Sequence, residues 1–243
     1  MNMKICEILG TKIAVTNMDE TVAAIETQME GLRGNYICVA NVHTTVTAYE
    51  DPAYQKVQNS AAFALPDGKP LSSYSRKHGF AEAERVTGPD LMGRLFAREN
   101  GLRHYFYGGK PETIRLLSEK LRETYPHLVI AGMESPPFRE LTREEDEKAV
   151  GRMNESQADI IWVGLGAPKQ ENWMYRHRGS VHGVMIGVGA GFDYHAGTIK
   201  RAPMWMQKAS LEWLYRLLQD PKRLFGRYLK TNVKYLWLTR GKR

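Results

Sequence analysis

Short apolar segments alternate with longer amphipathic segments along most of the chain, and this alternation limits the possible folds more than any other feature. The predicted strands are rich in β-branched and aromatic side chains and cover 36–41, 61–67, 104–109, 128–133, 159–166 and 183–189. Residues 110–126 and 142–156 are predicted helices, the first with Ile114, Leu117 and Leu121 at helical spacing. We therefore expect an α/β fold with a mostly parallel sheet and helices on both faces.

Positive charge is concentrated at the C-terminal end. The 243-residue chain has a formal net charge of +7, yet residues 1–197 contain 22 Lys and Arg against 25 Asp and Glu. Residues 198–243 contain twelve basic and two acidic side chains, a net charge of +10. We therefore divide the chain into an α/β domain, 1–197, and a basic helical appendage, 198–243. Such an asymmetry favours an anionic partner, either nucleic acid or anionic lipid.

The appendage places aromatic and leucine side chains beside Lys and Arg. Trp205, Trp213 and Leu217 are among its apolar positions at helical spacing, and Pro221 interrupts the pattern and can begin a new helix. Basic residues beside Trp, Tyr and Leu are typical of a helix at a membrane surface. The same stripe also fits a helix that packs on the main domain, so both interpretations stay open here.

Several classes of protein are disfavoured by what the sequence lacks. Two cysteines, Cys6 and Cys38, make no disulfide framework and fit a reducing compartment. The first residues have no signal-peptide core, and no run approaches the roughly 18 apolar residues of a membrane span. No motif suggests a zinc site or acyl transfer, and there is no Asp-x-Asp pair to clamp a metal-bound diphosphate. We expect a cytoplasmic protein whose membrane contact is peripheral.

Polar residues and glycines follow the predicted strands. In an open α/β sheet, ligands bind beyond the carboxyl ends of the strands. We therefore expect one cleft, able to bind a phosphate-bearing ligand, from the following residues: Asn41, Asp67, Gly109, Gly166, Gln170, Glu171 and the segment 187–193.

Asp67 is the candidate for acid–base chemistry. A carboxylate at a strand end can act as a general base toward a hydroxyl group. Asp67 also precedes Gly68, and Asp-Gly is a common turn pair whose carboxylate bonds to its own backbone. Asn41 can likewise be a ligand contact or a simple hydrogen bonder at a strand end. The residues alone leave these alternatives open.

Five segments, taken in order, resemble one family: LPDGKPL, RVTGPDL, GLGAPKQE, GVGAGFDYHAGTIKRAP and EWLYRLLQDPKRLFGRYL. They are similar to the WecG/TagA/CpsF family of bacterial glycosyltransferases (glycosyltransferase family 26), from about residue 8 to about residue 236. The resemblance implies an inverting transfer of a sugar from a UDP-sugar to a polyprenyl-diphosphate-linked saccharide. It places the protein in the synthesis of capsule, exopolysaccharide or teichoic-acid linkage units.

The resemblance also implies partners and a location. The enzyme is expected to need no metal and no other cofactor. Its appendage is expected to attach it peripherally to the inner face of the cell membrane, with no nucleic acid bound. The 1–197 domain then carries catalysis, and residues 198–243 carry acceptor binding and membrane targeting.

The family motifs assign roles to single residues of this chain. Asp67 matches the proposed catalytic base, and we group Asn41 with it. The expected donor-binding residues are Arg85, Gly109, Gly166, Gln170, Glu171 and Asp193. The expected acceptor-diphosphate ligands are Arg216, Arg223 and Arg227, since guanidinium groups bind phosphate bidentately.

One position departs from the family pattern. Mannosaminyl transferases of this family carry a threonine where this chain has Val39, so that hydroxyl is missing here. We therefore expect a donor other than UDP-N-acetylmannosamine, with glucose, glucuronate or another hexose open. The alternative functions are a non-catalytic nucleotide-binding module and a nucleic-acid-binding protein that uses the basic tail.

Overall fold

Six strands form one parallel sheet in the part of the chain that the computed structural model describes. That part is residues 3–208 and 211–240, without the side chains of 207, 208, 223, 224 and 227. The strands are β1 Lys4–Ile8, β2 Thr11–Val15, β3 Tyr36–Ala40, β4 Phe63–Pro66, β5 Arg103–Gly108, β6 Val129–Glu134, β7 Ile160–Gly164 and β8 Val184–Gly187.

The sheet has the strand order β4-β3-β8-β7-β5-β6, and every neighbouring pair is parallel. All six predicted strands are confirmed as its members. Strands β1 and β2 form a separate antiparallel hairpin, which the sequence interpretation did not predict. Parallel neighbours place all their carboxyl ends at one edge of the sheet, so the segments that follow the strands meet there.

Helices connect the strands and cover the sheet. Those of the described residues are α1 Met18–Thr27, α2 Met29–Leu32, α3 Val42–Glu50, α4 Pro52–Asn59, α5 Lys69–Lys77, α6 Gly88–Phe96, α7 Pro111–Thr124, α8 Arg143–Glu155, α9 Lys169–Arg176, α10 Gly191–Ala196, α11 Met204–Lys208, α12 Glu212–Gln219 and α13 Pro221–Thr239. The two predicted helices are confirmed as α7 and α8. Pro221 begins α13, as its fixed φ angle allows at a first helical position.

Both faces of the sheet are buried, as expected for an α/β fold. Alternate residues of β3 point to opposite faces, so Tyr36 and Cys38 join one apolar cluster while Ile37 and Val39 join the other. The first cluster includes side chains from α3, α5, α8 and α9, and the second includes side chains from α1, α6, α7 and α10. The predicted fold class is therefore confirmed, including the helical C-terminal segment.

Glycines let neighbouring strand ends approach closely. A Cβ atom at Gly108 would lie 2.5 Å from the carbonyl carbon of Gly164, and Gly108 has a φ of +129°. A Cβ at Gly164 would in turn lie 2.8 Å from the ring of Phe192 at the start of α10. The ends of β5 and β7 and the first turn of α10 therefore pack at distances that only glycine permits.

The appendage packs on the α/β body through α13. Thr231 and Tyr235 are buried, the Tyr235 hydroxyl donates to the carbonyl of Pro70 at 3.2 Å, and Lys234 forms an ion pair with Glu50. Other side chains of the same helix, including Leu236 and Trp237, are exposed. Across the described residues, every helix is too short or too polar to cross a bilayer.

We predict that Gly108→Ala destabilises the fold by about 2 kcal/mol or more, because the new methyl group meets backbone atoms and φ is unfavourable. Gly151→Ala is the matched control. It lies in α8, where an added Cβ meets nothing within 4 Å, and should be neutral or stabilising by up to about 1 kcal/mol. Urea unfolding of both variants checks this, and equal midpoints would contradict the packing argument.

Candidate active site

A cavity of about 2430 Å³ opens at the carboxyl ends of the parallel strands. Residues that follow all six strands line it: Asn41 after β3, Asp67 after β4, Gly109 after β5, Phe138 after β6, Gly166 after β7 and Gly189 after β8. Arg85, Gln170, Asp193 and Arg216 line the same cavity. The structure therefore brings most of the predicted site residues together, while their individual roles stay predictions.

Asp67 lies directly after β4, where its backbone N–H donates to the carbonyl of Ala40 at 2.7 Å. Burial raises the pKa of its carboxyl to about 7, against an ordinary value near 3.8. The positive charge of Arg85 opposes this rise in pKa, and the negative charge of Glu212 adds to it. Asp67 is therefore a carboxyl group that can take up and release a proton near neutral pH.

Four charged side chains form a closed ring beside Asp67, which we call the charge ring: Arg85, Asp90, Arg201 and Glu212. Arg85 Nη1 lies 2.8 Å from Glu212 Oε2, and Arg201 Nη1 lies 2.6 Å from Asp90 Oδ1. Two longer contacts, of 3.6 and 3.8 Å, complete the ring. Because Arg201 and Glu212 belong to the appendage, the ring joins residues 198–243 to the α/β body at the cavity.

Thr87 helps to hold this arrangement. Its hydroxyl donates to Asp90 Oδ2 at 2.7 Å and accepts from the backbone N–H of Asp90, so Thr87 is the N-cap of α6. A Cβ at Gly88 would lie 3.1 Å from the carbonyl oxygen of Val188, which explains the glycine that follows. The segment RVTGPDL therefore places Arg85 at the cavity and docks α6 against the end of β8.

Arg216 is the acceptor-binding candidate whose side chain the structure describes. Its guanidinium carbon lies 5.7 Å from the centre of the Tyr194 ring, and its charge lowers the pKa of Asp67. The side chains of Arg223 and Arg227 lie outside the described residues. Within the described part of the chain, no three His, Cys, Asp or Glu side chains are grouped so that they could hold a metal ion.

The glycine run after β8 has two different uses. A Cβ at Gly187 would meet Met174 at 2.7 Å, and one at Gly191 would meet Met92 at 2.6 Å, so both glycines serve packing. Gly189 has a φ of +55°, and an added Cβ would meet nothing within 4 Å. The whole run 187–191 lines the cavity, and Gly189 is the glycine of the run with free space beside its Cα atom.

Asp193 joins three segments at the cavity wall. Its Oδ1 accepts from the hydroxyl of Thr113 at 3.2 Å and from that of Thr198 at 3.1 Å. These bonds connect α10 with α7 and with the beginning of the appendage. A ligand group that bound Asp193 would therefore share this carboxylate with two protein hydroxyls.

Asn41 lines the cavity and also caps the N-terminus of α3. Its Oδ1 accepts from the backbone N–H of Thr44 at 3.2 Å, and Thr44 Oγ1 accepts from the N–H of Asn41 in return, so the pair forms a capping box on α3. The Asn41 side-chain nitrogen makes no hydrogen bond to the described residues and can donate to a ligand. The Asn41 side chain can therefore be a hydrogen bonder at a strand end and a ligand contact at the same time.

Glu171 is the predicted donor contact that the structure does not bring to the cavity. Gln170 lines the cavity, whereas Glu171 is fully buried behind it and accepts from Gln170 Nε2 at 2.7 Å. Successive residues of a helix point about 100° apart, so neighbours in α9 face different surroundings. The structure therefore places Glu171 away from the cavity surface, and its predicted role in donor binding stays a prediction.

Sequence reasoning missed several residues that line the cavity, among them Thr113, Tyr194, Thr198 and Glu212. A signal was present for Glu212, because it is one of two acidic residues in an appendage with twelve basic ones. An isolated acidic residue in a basic segment suggests a specific cationic partner. That partner, Arg85, is 127 positions away and could not be identified from spacing.

Comparisons with known proteins identify the family of the chain. The chain matches the model of the glycosyl transferase WecG/TagA/CpsF family over residues 6–243. It is 31% identical to the N-acetylglucosaminyldiphosphoundecaprenol N-acetyl-beta-D-mannosaminyltransferase of Staphylococcus aureus strain MW2, covering 98% of this chain and 93% of that protein.

Proteins with the same name from two Bacillus species are also similar. The one from Bacillus spizizenii is 32% identical over 81% of this chain and 76% of its own length. The one from Bacillus subtilis strain 168 is 33% identical over 78% of this chain and 73% of its own length. With the family model matching nearly the whole chain, the protein belongs to the WecG/TagA/CpsF family of glycosyl transferases.

Proposed function

We propose that the protein is an inverting glycosyltransferase that moves a hexosyl group from a UDP-sugar to a polyprenyl-diphosphate-linked saccharide in cell-surface polysaccharide synthesis. The observation that carries the proposal is Asp67, a carboxyl group at the cavity with a pKa of about 7, flanked by the guanidinium groups of Arg85 and Arg216. Family membership supports the reaction class. The names of the relatives describe mannosaminyl transfer involving N-acetylglucosaminyldiphosphoundecaprenol.

The proposed step is a single displacement at the anomeric carbon of the donor. An acceptor hydroxyl attacks this carbon while its proton passes to the Asp67 carboxylate. The new carbon–oxygen bond forms as the bond to the UDP oxygen breaks, and UDP leaves with the bonding electron pair. Attack from the face opposite UDP inverts the configuration. A base with a pKa near the working pH is well matched to this transfer.

Arginine side chains supply the positive charge that a departing diphosphate needs. Arg85 lies at the cavity, and guanidinium groups bind phosphate oxygens in a fixed two-pronged geometry. The sequence has no Asp-x-Asp pair, which other nucleotide-sugar enzymes use to hold a metal with the diphosphate. We therefore propose that UDP departure relies on protein cations and needs no divalent metal.

The donor sugar is proposed to be a hexose other than N-acetylmannosamine. Val39 lines the cavity near the end of β3 and supplies a methyl surface, where the family resemblance implies a threonine hydroxyl in mannosaminyl transferases. A site that hydrogen-bonds a hydroxyl or amide group of its substrate discriminates strongly against a substrate that lacks this group. Replacing that group by an apolar side chain is therefore expected to change donor preference.

A panel assay tests the function directly. The full-length protein is incubated with UDP-glucose, UDP-glucuronate, UDP-N-acetylglucosamine or UDP-N-acetylmannosamine, with and without a short-chain lipid-diphosphate-sugar acceptor, and UDP release is measured. We expect acceptor-dependent release from a donor other than UDP-N-acetylmannosamine, unchanged by EDTA. Absence of release with every donor contradicts the function, and preference for UDP-N-acetylmannosamine contradicts the donor proposal. Loss of activity in EDTA that Mg²⁺ or Mn²⁺ restores contradicts metal independence.

Asp67→Asn should lower the transfer rate by about 10²–10⁴-fold while UDP affinity changes little, because loss of a general base affects the chemical step.

In the wild-type protein the rate should rise with pH through about 7 and then level off, since the carboxyl must be ionised to accept a proton. Single-turnover rates between pH 5.5 and 8.5 measure both effects. Glu84→Gln, an exposed carboxyl in the same region, is the control.

Stability separates loss of the base from loss of the fold. The folded-state pKa of Asp67 lies above the unfolded value, so its contribution to stability is present below about pH 4 and is lost as pH rises through about 7. At pH 8 the folded wild-type protein carries an ionised Asp67 carboxylate, whereas Asp67→Asn carries an uncharged amide at that position. Asp67→Asn should therefore be more stable at pH 8 by about 1–3 kcal/mol, with little difference near pH 4. An inactive variant that unfolds more easily at pH 8 would speak against the proposed role.

We also propose that the appendage holds the enzyme on the inner face of the cell membrane. Trp205 and Trp237 are 64% and 75% exposed in a segment with a net charge of +10. Exposed aromatic and leucine side chains can insert shallowly, while each Lys or Arg near an anionic leaflet contributes about 1 kcal/mol. Such an orientation suits an acceptor whose diphosphate lies at headgroup depth and a donor that arrives from the cytoplasm.

The double variant Trp205→Ser/Trp237→Ser should sediment severalfold less with liposomes of phosphatidylglycerol, because two insertion points are lost while the charge is unchanged. Phe138→Ser is the matched control, since Phe138 is 95% exposed but belongs to the loop after β6. We expect the control to sediment like the wild type. Equal sedimentation of all three proteins would exclude insertion by the appendage aromatics.

A further inference from the structure

A pair of buried polar side chains lies behind the glycine loop 187–191. Gln170 is 3% exposed and Glu171 is 0% exposed, and both belong to the first turn of α9. Glu171 does not line the cavity and makes no direct contact there. Its position raises the question of what a buried carboxyl group does one residue from a side chain that lines the site.

The hydrogen bonds of Gln170 give it one defined orientation. Its Oε1 accepts from the backbone N–H of Gly189 at 3.1 Å, and its Nε2 donates to Glu171 Oε1 at 2.7 Å. A flipped amide would place its NH₂ group against the Gly189 N–H and its oxygen against the Glu171 oxygen. Two donors would then face each other at Gly189, and two acceptors would face each other at Glu171. Gly189 and Glu171 together therefore fix the orientation of the Gln170 amide.

The glycine loop depends on this orientation. Gly189 is the residue of the loop with a positive φ and an open side toward the cavity. At the other end, a Cβ on Gly187 would lie 3.0 Å from Gln170 Nε2, so the loop packs directly on the amide. The Gln170 side chain therefore supports the loop by packing at Gly187 and by a hydrogen bond at Gly189.

Glu171 is held in a buried position by several polar groups. Burial raises the pKa of its carboxyl, while hydrogen bonding to Gln170, to its own backbone N–H and to Tyr54 opposes that rise. Removing one partner of a buried polar pair leaves the other partner unpaired, which costs stability. Of these contacts, the one through Oε1 to Gln170 is the one that leads to the cavity.

We propose that Glu171 is a positioning residue that locks the Gln170 amide and thereby holds the loop 187–191 in the shape that binds the UDP-sugar donor. The proposal rests on the proposed function, and it replaces the direct contact with the donor that the sequence suggested. Glu171 acts through Gln170 and not on the donor itself. Its loss is therefore expected to weaken donor binding without changing the acceptor site or the chemical groups that react.

Two substitutions in the full-length protein separate positioning from a structural role. Glu171→Leu keeps the volume but removes the acceptor, so the dissociation constant for UDP and the KM for the donor should rise about tenfold or more, which corresponds to about 1.4 kcal/mol. The thermal midpoint should fall modestly, because the buried Gln170 Nε2 loses its acceptor, whereas the KM for the acceptor substrate should stay constant. Glu171→Gln can still accept from Gln170 Nε2 and should restore donor binding to within about twofold of the wild type.

Hydrogen exchange reports on the loop itself. In Glu171→Leu, the peptide that contains 187–191 should exchange faster, while the strand peptide 160–164 should be unchanged. A double-mutant cycle with Gln170→Leu adds a further readout, since residues that act as one unit show non-additive effects. The double variant should bind UDP no more weakly than Gln170→Leu alone.

The possible outcomes are distinguishable. Unchanged UDP binding in Glu171→Leu, fully additive effects in the cycle, or a rise in the KM for the acceptor equal to that for the donor would each overturn the positioning role. If Glu171→Leu does not fold, Glu171→Met is measured in its place, and failure of both makes the role structural. If the wild-type protein neither binds UDP nor transfers a sugar, the proposed function itself fails, which is a separate result.

Discussion

Burial of both faces of the parallel sheet is the constraint on which the rest of the structure depends. Strands β3, β8, β7 and β5 carry apolar side chains on both sides, and helices cover each face. Polar side chains can then be accommodated where the strands end, and parallel neighbours bring those ends to one edge. The cavity therefore forms from segments that are far apart in sequence but follow the same kind of strand.

The charge ring is the second organising interaction. Arg85, Asp90, Arg201 and Glu212 alternate in sign and belong to two parts of the chain, so the ring fixes the appendage to the body beside Asp67. Its net charge is zero, yet it exposes a guanidinium group and a carboxylate to the cavity. An anionic ligand that bound Arg85 would compete with Glu212 for the same guanidinium group, which couples the ligand site to the position of α12.

Local sequence patterns were sufficient to predict the strands of the sheet. They were insufficient to predict side-chain contacts between segments that are distant in sequence. The six strands, α7, α8 and the helix start at Pro221 follow from hydrophobic spacing and proline geometry, which are properties of short segments. The hairpin of β1 and β2 was not predicted, because its turn, Leu9–Gly10, lacks the Asn-Gly or Asp-Gly pair that marks a two-residue hairpin. The partnership of Arg85 with Glu212, and the burial of Glu171 behind Gln170, depend on three-dimensional packing and leave no periodic signal in the chain.

The attachment of α13 has a consequence for the design of shortened proteins. Its 19 residues extend about 28 Å, and its contacts with the α/β body at Thr231, Lys234 and Tyr235 lie in its second half. The same helix supplies Tyr228, Asn232 and Tyr235 to the cavity wall. Removal of residues 231–243 would remove these three contacts and take Asn232 and Tyr235 from the cavity wall, so a C-terminal deletion alters the site as well as the surface.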